Sequence, residues 1–74
     1  MNLRQVEVFR VVMTNGTTAR AAEVLHVSQP AISKMIQELE RSLGFDLFKR
    51  IKGRLQPTQE GQLFFREVEQ AFLG

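Results

Sequence analysis

RAAEVLHVSQPAISKMIQELE, residues 20–40, reads as a short helix, a tight turn and a second helix in one unbroken run. In the first helix Ala21, Ala22 and Leu25 supply small and apolar side chains, which let two helices cross closely and at a steep angle. The turn passes through His26 and Val27. Ser28 then offers a hydroxyl to an orphan backbone N–H, and Pro30 falls in the first helical turn, where a missing donor costs nothing. A new helix is therefore expected to begin at about Gln29. At roughly 100° per residue Ile32, Met35, Ile36, Leu39 and Leu43 share one stripe, the face that packs inward.

Pro30, Lys34, Gln37 and Arg41 fall opposite that stripe, with Gln29 and Ser33 along one border near the helix N-terminus. In a helix-turn-helix that end of the second helix reaches base edges in the major groove. The residue types suit the task. Glutamine can bond adenine at two points, a hydroxyl serves any base, lysine suits guanine or phosphate, and Pro30 and Ala31 can touch thymine methyls. Gln29, Pro30, Ala31, Ser33 and Lys34 are the candidate base contacts; the plainer reading of the same residues is a solvated polar face.

Outward from this run, Asn2 can cap a helix from Leu3 to about Thr14 with Leu3, Val6, Phe9 and Met13 as its inner face. Asn15-Gly16 ends it. Val8, Val11 and Val12 lie off that stripe and call for a further partner, either the last helix of the same chain or another subunit. Thr17 and Thr18 are both candidate caps for the next helix, whose first turn also carries Arg20. After Gly44 the helical period gives way to Phe45, Leu47, Phe48, Ile51 and Leu55, two brief strands around a turn at Lys52-Gly53. Gly53 supplies the positive φ that such a turn favours. Pro57-Thr58 stops the hairpin, with Thr58 the cap of a last helix whose stripe is Phe64, Phe65, Val68, Ala71 and Phe72. Leu63 and Leu73 lie off the stripe and suggest a second packing surface. The apolar period persists to Gly74, which suggests a piece of something longer.

Composition narrows the function. A chain of 74 residues with no cysteine is one domain held by packing alone, without a disulfide framework or a thiolate metal site. No segment approaches the roughly 20 apolar residues of a membrane-spanning helix, so a cytoplasmic protein with no membrane partner is expected. The formal net charge is only +2, yet four of the ten basic residues, Lys49, Arg50, Lys52 and Arg54, fall within six positions. Such a compact tip suits phosphate better than the same charge spread evenly. A wing beside a recognition helix can enter the adjacent minor groove, where narrow A·T-rich DNA attracts arginine; Arg54 is the candidate for that insertion. The six phenylalanines, without tryptophan or tyrosine, read as packing rather than base-stacking platforms. One histidine and scattered carboxylates leave no triad, metal cluster or phosphate loop, so no enzyme is expected. His26 is a turn residue that could also touch a phosphate.

The ordered landmarks Met1-Asn2-Leu3, Ala21-Ala22, Ser28-Gln29-Pro30-Ala31-Ile32-Ser33, Leu39-Glu40, Leu43-Gly44, Leu47-Phe48, Arg50 and Thr58 with Gly61 resemble the N-terminal DNA-binding domain of LysR-type transcriptional regulators. The resemblance spans essentially the whole chain. Pro57 departs from the leucine more usual there and, with Ile51-Lys52-Gly53-Arg54-Leu55, is more similar to the branch of lysine-biosynthesis and opine-catabolism regulators. The resemblance implies a mainly α winged helix-turn-helix with a three-helix core, a two-stranded wing and a long linker helix. Residues 1–58 would form the DNA-binding domain, and 59–74 the start of the linker and dimerisation helix. Its implied partner is double-stranded DNA, bound by a homodimer on an interrupted A·T-rich palindrome. Thr18 and Arg20 would meet the DNA backbone, joined by Ser28, Gln37, Arg50 and Lys52, while Leu63, Phe64, Val68 and Phe72 would form the dimer contact. Tetramers and a small-molecule effector would belong to a further C-terminal domain, and no cofactor is expected of these residues. The rival is a winged helix used as a protein-interaction module, which would be expected to replace the small and polar Gln29, Ala31, Ser33 and Lys34 with acidic or bulky apolar groups and to lose the basic wing.

Overall fold

The computed structural model describes residues 1–73, and the side chains of residues 1–72. Its elements run α1 (Leu3–Asn15), α2 (Thr18–Leu25), α3 (Gln29–Leu43), β1 (Phe48–Ile51), β2 (Arg54–Pro57) and α4 (Gln59–Leu73). This is a mainly helical winged helix-turn-helix, as the sequence predicts.

Each helix start carries a side-chain cap. Asn2 accepts the Gln5 N–H at 2.9 Å, and the Gln5 side chain accepts the Asn2 N–H in return, a full capping box. Of the two candidate threonines Thr17 is the cap, accepting the Arg20 N–H at 3.1 Å, so Thr18 becomes the first helical residue and keeps its hydroxyl for other work. Ser28 accepts the Ala31 N–H at 3.2 Å with Pro30 in the first turn, and Thr58 accepts the Gly61 N–H at 2.9 Å. Between α2 and α3 the chain turns through His26 in the left-handed region (φ 58°), and the Val27 N–H reaches the Ala22 carbonyl at 3.0 Å.

The core gathers Val6, Val8, Phe9, Val12, Ala21, Ala22, Ile32, Ile36, Leu39, Leu47 and Val68. The inward stripe of α3 is as expected, with Met35 and Leu43 partly covered beside the buried Ile32, Ile36 and Leu39. That of α1 needs correction. Its buried arc runs from Val8 through Val12 and Phe9 to Val6, whereas Leu3 is 69% exposed. The cause is that α1 is packed by α2, α3 and α4 together, which widens and rotates its apolar face. Val8 and Val12 thus meet their partners within the chain. Arg10 adds a polar tie between α1 and α4: its guanidinium lies 3.4 Å from Glu69 and 4.6 Å from the centroid of the Phe72 ring. In α4, Phe64 and Phe65 pack on Phe9 and Val68 is buried, but Ala71 and Phe72 are exposed, so the expected stripe outruns the core. The side chain of Leu73 lies outside the described residues.

The wing is an antiparallel pair with Phe48 opposite Pro57, Lys49 opposite Gln56, Arg50 opposite Leu55 and Ile51 opposite Arg54. Its two-residue turn places both Lys52 (φ 54°) and Gly53 (φ 76°) in the left-handed region, the type I′ geometry that matches strand twist. Only the glycine's share of that strain is legible in the sequence.

Candidate nucleic-acid interface

Two grooves join the helix-turn-helix to the wing. One lies between α3 and the wing base and is lined by Thr18, Ser33, Gln37, Glu40, Lys49 and Arg50 over an apolar floor of Ile36, Phe48 and Leu55. The other separates the start of α2, from Gly16 to Ala19, from Arg50, Gly53, Arg54, Leu55 and Gln56 of the wing. Thr18 and Arg50 border both.

Period-two alternation explains Arg50. It shares a strand face with Phe48 and, across the pair, with Leu55 and Pro57, the side turned to the domain body. Phe48 on that face packs against Phe9, with ring centroids 5.7 Å apart. Lys49, Ile51, Arg54 and Gln56 share the opposite face.

The exposed start of α3 presents Gln29, Pro30 and Lys34, with Ala31 and Ser33 partly covered. Of the expected base contacts, Ser33 alone lines a groove, and Gln29, Pro30, Ala31 and Lys34 line neither. Among the expected backbone contacts, Gln37 joins Thr18 and Arg50 in the first groove, while Arg20 and Lys52 are exposed outside both. Ser28 is exposed, and its oxygen is engaged as the α3 cap, which leaves its proton to donate.

Two charged groove residues fall outside the contacts expected from the sequence. Lys49 adds a cation to the first groove, although its strand position alternates with that of Arg50. Glu40 is the other. Its carboxylate accepts the N–H groups of Leu47 at 2.7 Å and Phe48 at 3.2 Å, which ties the last turn of α3 to the root of the wing. No local periodicity announces such a bond.

The α4 residues expected in a dimer contact divide. Val68, 7% exposed, and Phe64 are engaged by this chain's own core. Leu63 at 53% and Phe72 at 45% exposure remain apolar and outward. Among the described residues no helix is long and apolar enough to cross a membrane, and no group of three or more His, Asp or Glu side chains could hold a metal ion.

Known proteins share this architecture and sequence. The model of the bacterial regulatory helix-turn-helix proteins of the lysR family matches residues 3–62. The octopine catabolism/uptake operon regulatory protein OccR of Rhizobium meliloti is 49% identical over 74 residues, covering 100% of this chain and 25% of that protein. The transcriptional activator protein LysR of Escherichia coli is 43% identical over 74 residues, again 100% of this chain and 24% of that protein. The chain thus spans about a quarter of the length of these relatives. They are regulators, not enzymes. Among solved structures, the crystal structure of the CbnR_DBD–DNA complex superposes with a TM-score of 0.89 at 36% identity, covering 97% of this chain and 83% of that one. Caps, turn, grooves and basic wing, together with the family match, lead to one conclusion: the chain belongs to the lysR family of bacterial regulatory helix-turn-helix proteins.

Proposed function

We propose that this domain reads duplex DNA for a transcriptional regulator, with α3 in the major groove and the wing in the flanking minor groove. The observation that carries the reading is the placement of Thr18 and Arg50 on both grooves, which makes the base-reading helix, the start of α2 and the basic wing one continuous surface. Gln29, Pro30, Ala31, Ser33 and Lys34 face bases. Thr18, Arg20, Ser28, Gln37, Arg50 and Lys52 hold phosphates, and Arg54 enters the minor groove. Residues 1–58 supply the DNA-reading body and 59–74 begin the pairing helix. Two copies pair through Leu63 and Phe72, backed from within by Phe64 and Val68. The two-fold axis then matches an interrupted, A·T-rich palindrome with half-sites whole helical turns apart. Tetramer assembly and response to a small-molecule effector belong to the longer protein, which acts in the cytoplasm.

Selection from a random duplex library at near-physiological salt tests this. Enrichment of an interrupted palindrome supports the dimeric reader. Salt-sensitive binding without enrichment places specificity beyond these residues, and no binding at all favours a protein-interaction module. On the enriched site, Ser33→Ala should lower the ratio of specific to non-specific affinity by about 1 to 3 kcal/mol, the worth of a lost base contact. Lys52→Ala should instead weaken all sequences alike and flatten the dependence of log affinity on log salt by about one unit. Both residues carry a Cβ, so the left-handed backbone at the turn is equally strained in the two forms. An unchanged slope in titrations at several salt concentrations removes Lys52 from the phosphate contacts.

A further inference from the structure

Glu40 is the only carboxylate among the residues lining the two grooves between the helix-turn-helix and the wing. A negative charge there opposes a phosphate backbone, so its presence calls for a reason. The hydrogen bonds supply one. Leu47 immediately precedes β1 and Phe48 opens it, and Glu40 accepts both of their N–H groups from the last turn of α3. From the other side, the Thr58 N–H donates to the Leu47 carbonyl at 2.9 Å and the Thr58 hydroxyl donates to the Asp46 carbonyl at 2.6 Å. The root of the hairpin is thereby held to the helix expected to read bases and to the helix expected to pair subunits. A four-residue strand extends about 13 Å, so a rotation of about 10° at the root moves the tip by about 2 Å. That is enough to take Arg54 out of hydrogen-bond range of a groove edge.

We infer that Glu40 is a positioning residue for DNA reading: it fixes the angle of the wing against α3, so that Arg54 meets the minor groove of the same duplex whose major groove α3 occupies. The inference rests on the function proposed above. Glu40 touches no base or phosphate itself, and it acts through Leu47 and Phe48.

A double-mutant cycle in this chain tests it on a duplex carrying the enriched core with A·T-rich flanks. In the wild type Arg54→Ala should cost about tenfold in affinity, the size of one good groove contact. In the Glu40→Ala background the same change should cost less than about twofold, because the arginine has already lost its place. Glu40→Gln, whose amide oxygen can still accept both N–H groups, should restore the tenfold cost while removing the charge. Glu40→Asp, which withdraws the carboxylate by one carbon, should lower the Arg54 cost and serves if Glu40→Ala does not fold. A merely structural role would weaken binding but leave the cost of Arg54→Ala the same in every background, and that result overturns the inference. Hydrogen exchange at the Leu47 and Phe48 amides of the free protein gives an independent reading, with faster exchange expected in Glu40→Ala and Glu40→Asp. Unchanged exchange also overturns it. A wild type that binds no duplex while these amides respond would instead overturn the DNA-reading function, so the two failures are distinct.

Discussion

Phe9→Ala is expected to lower the unfolding free energy by about 3 to 5 kcal/mol, the usual cost of emptying a phenylalanine site in a core. Phe9 is fully buried and lies within 5.3 to 6.2 Å, centroid to centroid, of Phe64, Phe48 and Phe65. One ring thus joins α1 to the wing root and to α4. Its partners sit on separate elements that are themselves anchored, Phe48 by Glu40 and α4 by Thr58, so the site cannot easily collapse. A domain of this size has a total stability of roughly 5 to 10 kcal/mol, so the loss takes a large share of it and lowers the melting midpoint by about 15 °C or more. Urea and thermal melts followed by circular dichroism check this. Phe9→Leu, which keeps much of the volume, should cost no more than about 1.5 kcal/mol. If Phe9→Ala cost under about 1 kcal/mol, the aromatic cluster would not be the joint between helices and wing.

The parts legible in the sequence are those whose signals are local. Ser28, Pro30 and Gly44 mark the bounds of α3, and its stripe from Ile32 to Leu43 points inward because one helical face meets one core. Where several neighbours compete, local reading fails. The apolar arc of α1 is set by three packing partners, so Leu3 drops out and Val8 and Val12 enter. Thr17 and Thr18 carry the same cap chemistry one residue apart, and only the path out of the left-handed Gly16 decides between them. The site shows the same division. The polar start of α3 and the basic wing can be read from residue types, but the meeting of Thr18 with Arg50 is tertiary. So is Glu40, which one turn of helix presents as another surface carboxylate until the chain returns at Leu47 and Phe48.

Gly61→Ala is expected to destabilise the chain by about 2 to 3 kcal/mol, against the sign that helix propensity gives. In an open helix interior, alanine is favoured over glycine by roughly 1 kcal/mol. Gly61, however, is buried against the segment that roots the wing: a Cβ placed there overlaps the Leu47 carbonyl oxygen and stands 3.0 Å from its carbonyl carbon. These are backbone atoms, and none can swing aside as a side chain would. Leu47 is also pinned, its side chain fully buried, its N–H held by Glu40 and its carbonyl by the Thr58 N–H. Either α4 must move out or the root of the wing must shift, and both give up bonds that align β1. Gly44 provides the contrast. It sits in the left-handed region (φ 83°) with open space around its missing Cβ, so Gly44→Ala pays only backbone strain of about 1 to 2 kcal/mol. The two variants separate in a second measurement, since Gly61→Ala should also reduce the preference for A·T-rich flanks by displacing the wing, while Gly44→Ala should leave it intact. If Gly61→Ala melted at or above the wild-type temperature, helix propensity would outweigh the contact. The joint between α4 and Leu47 would then be too compliant to hold the wing in register with α3.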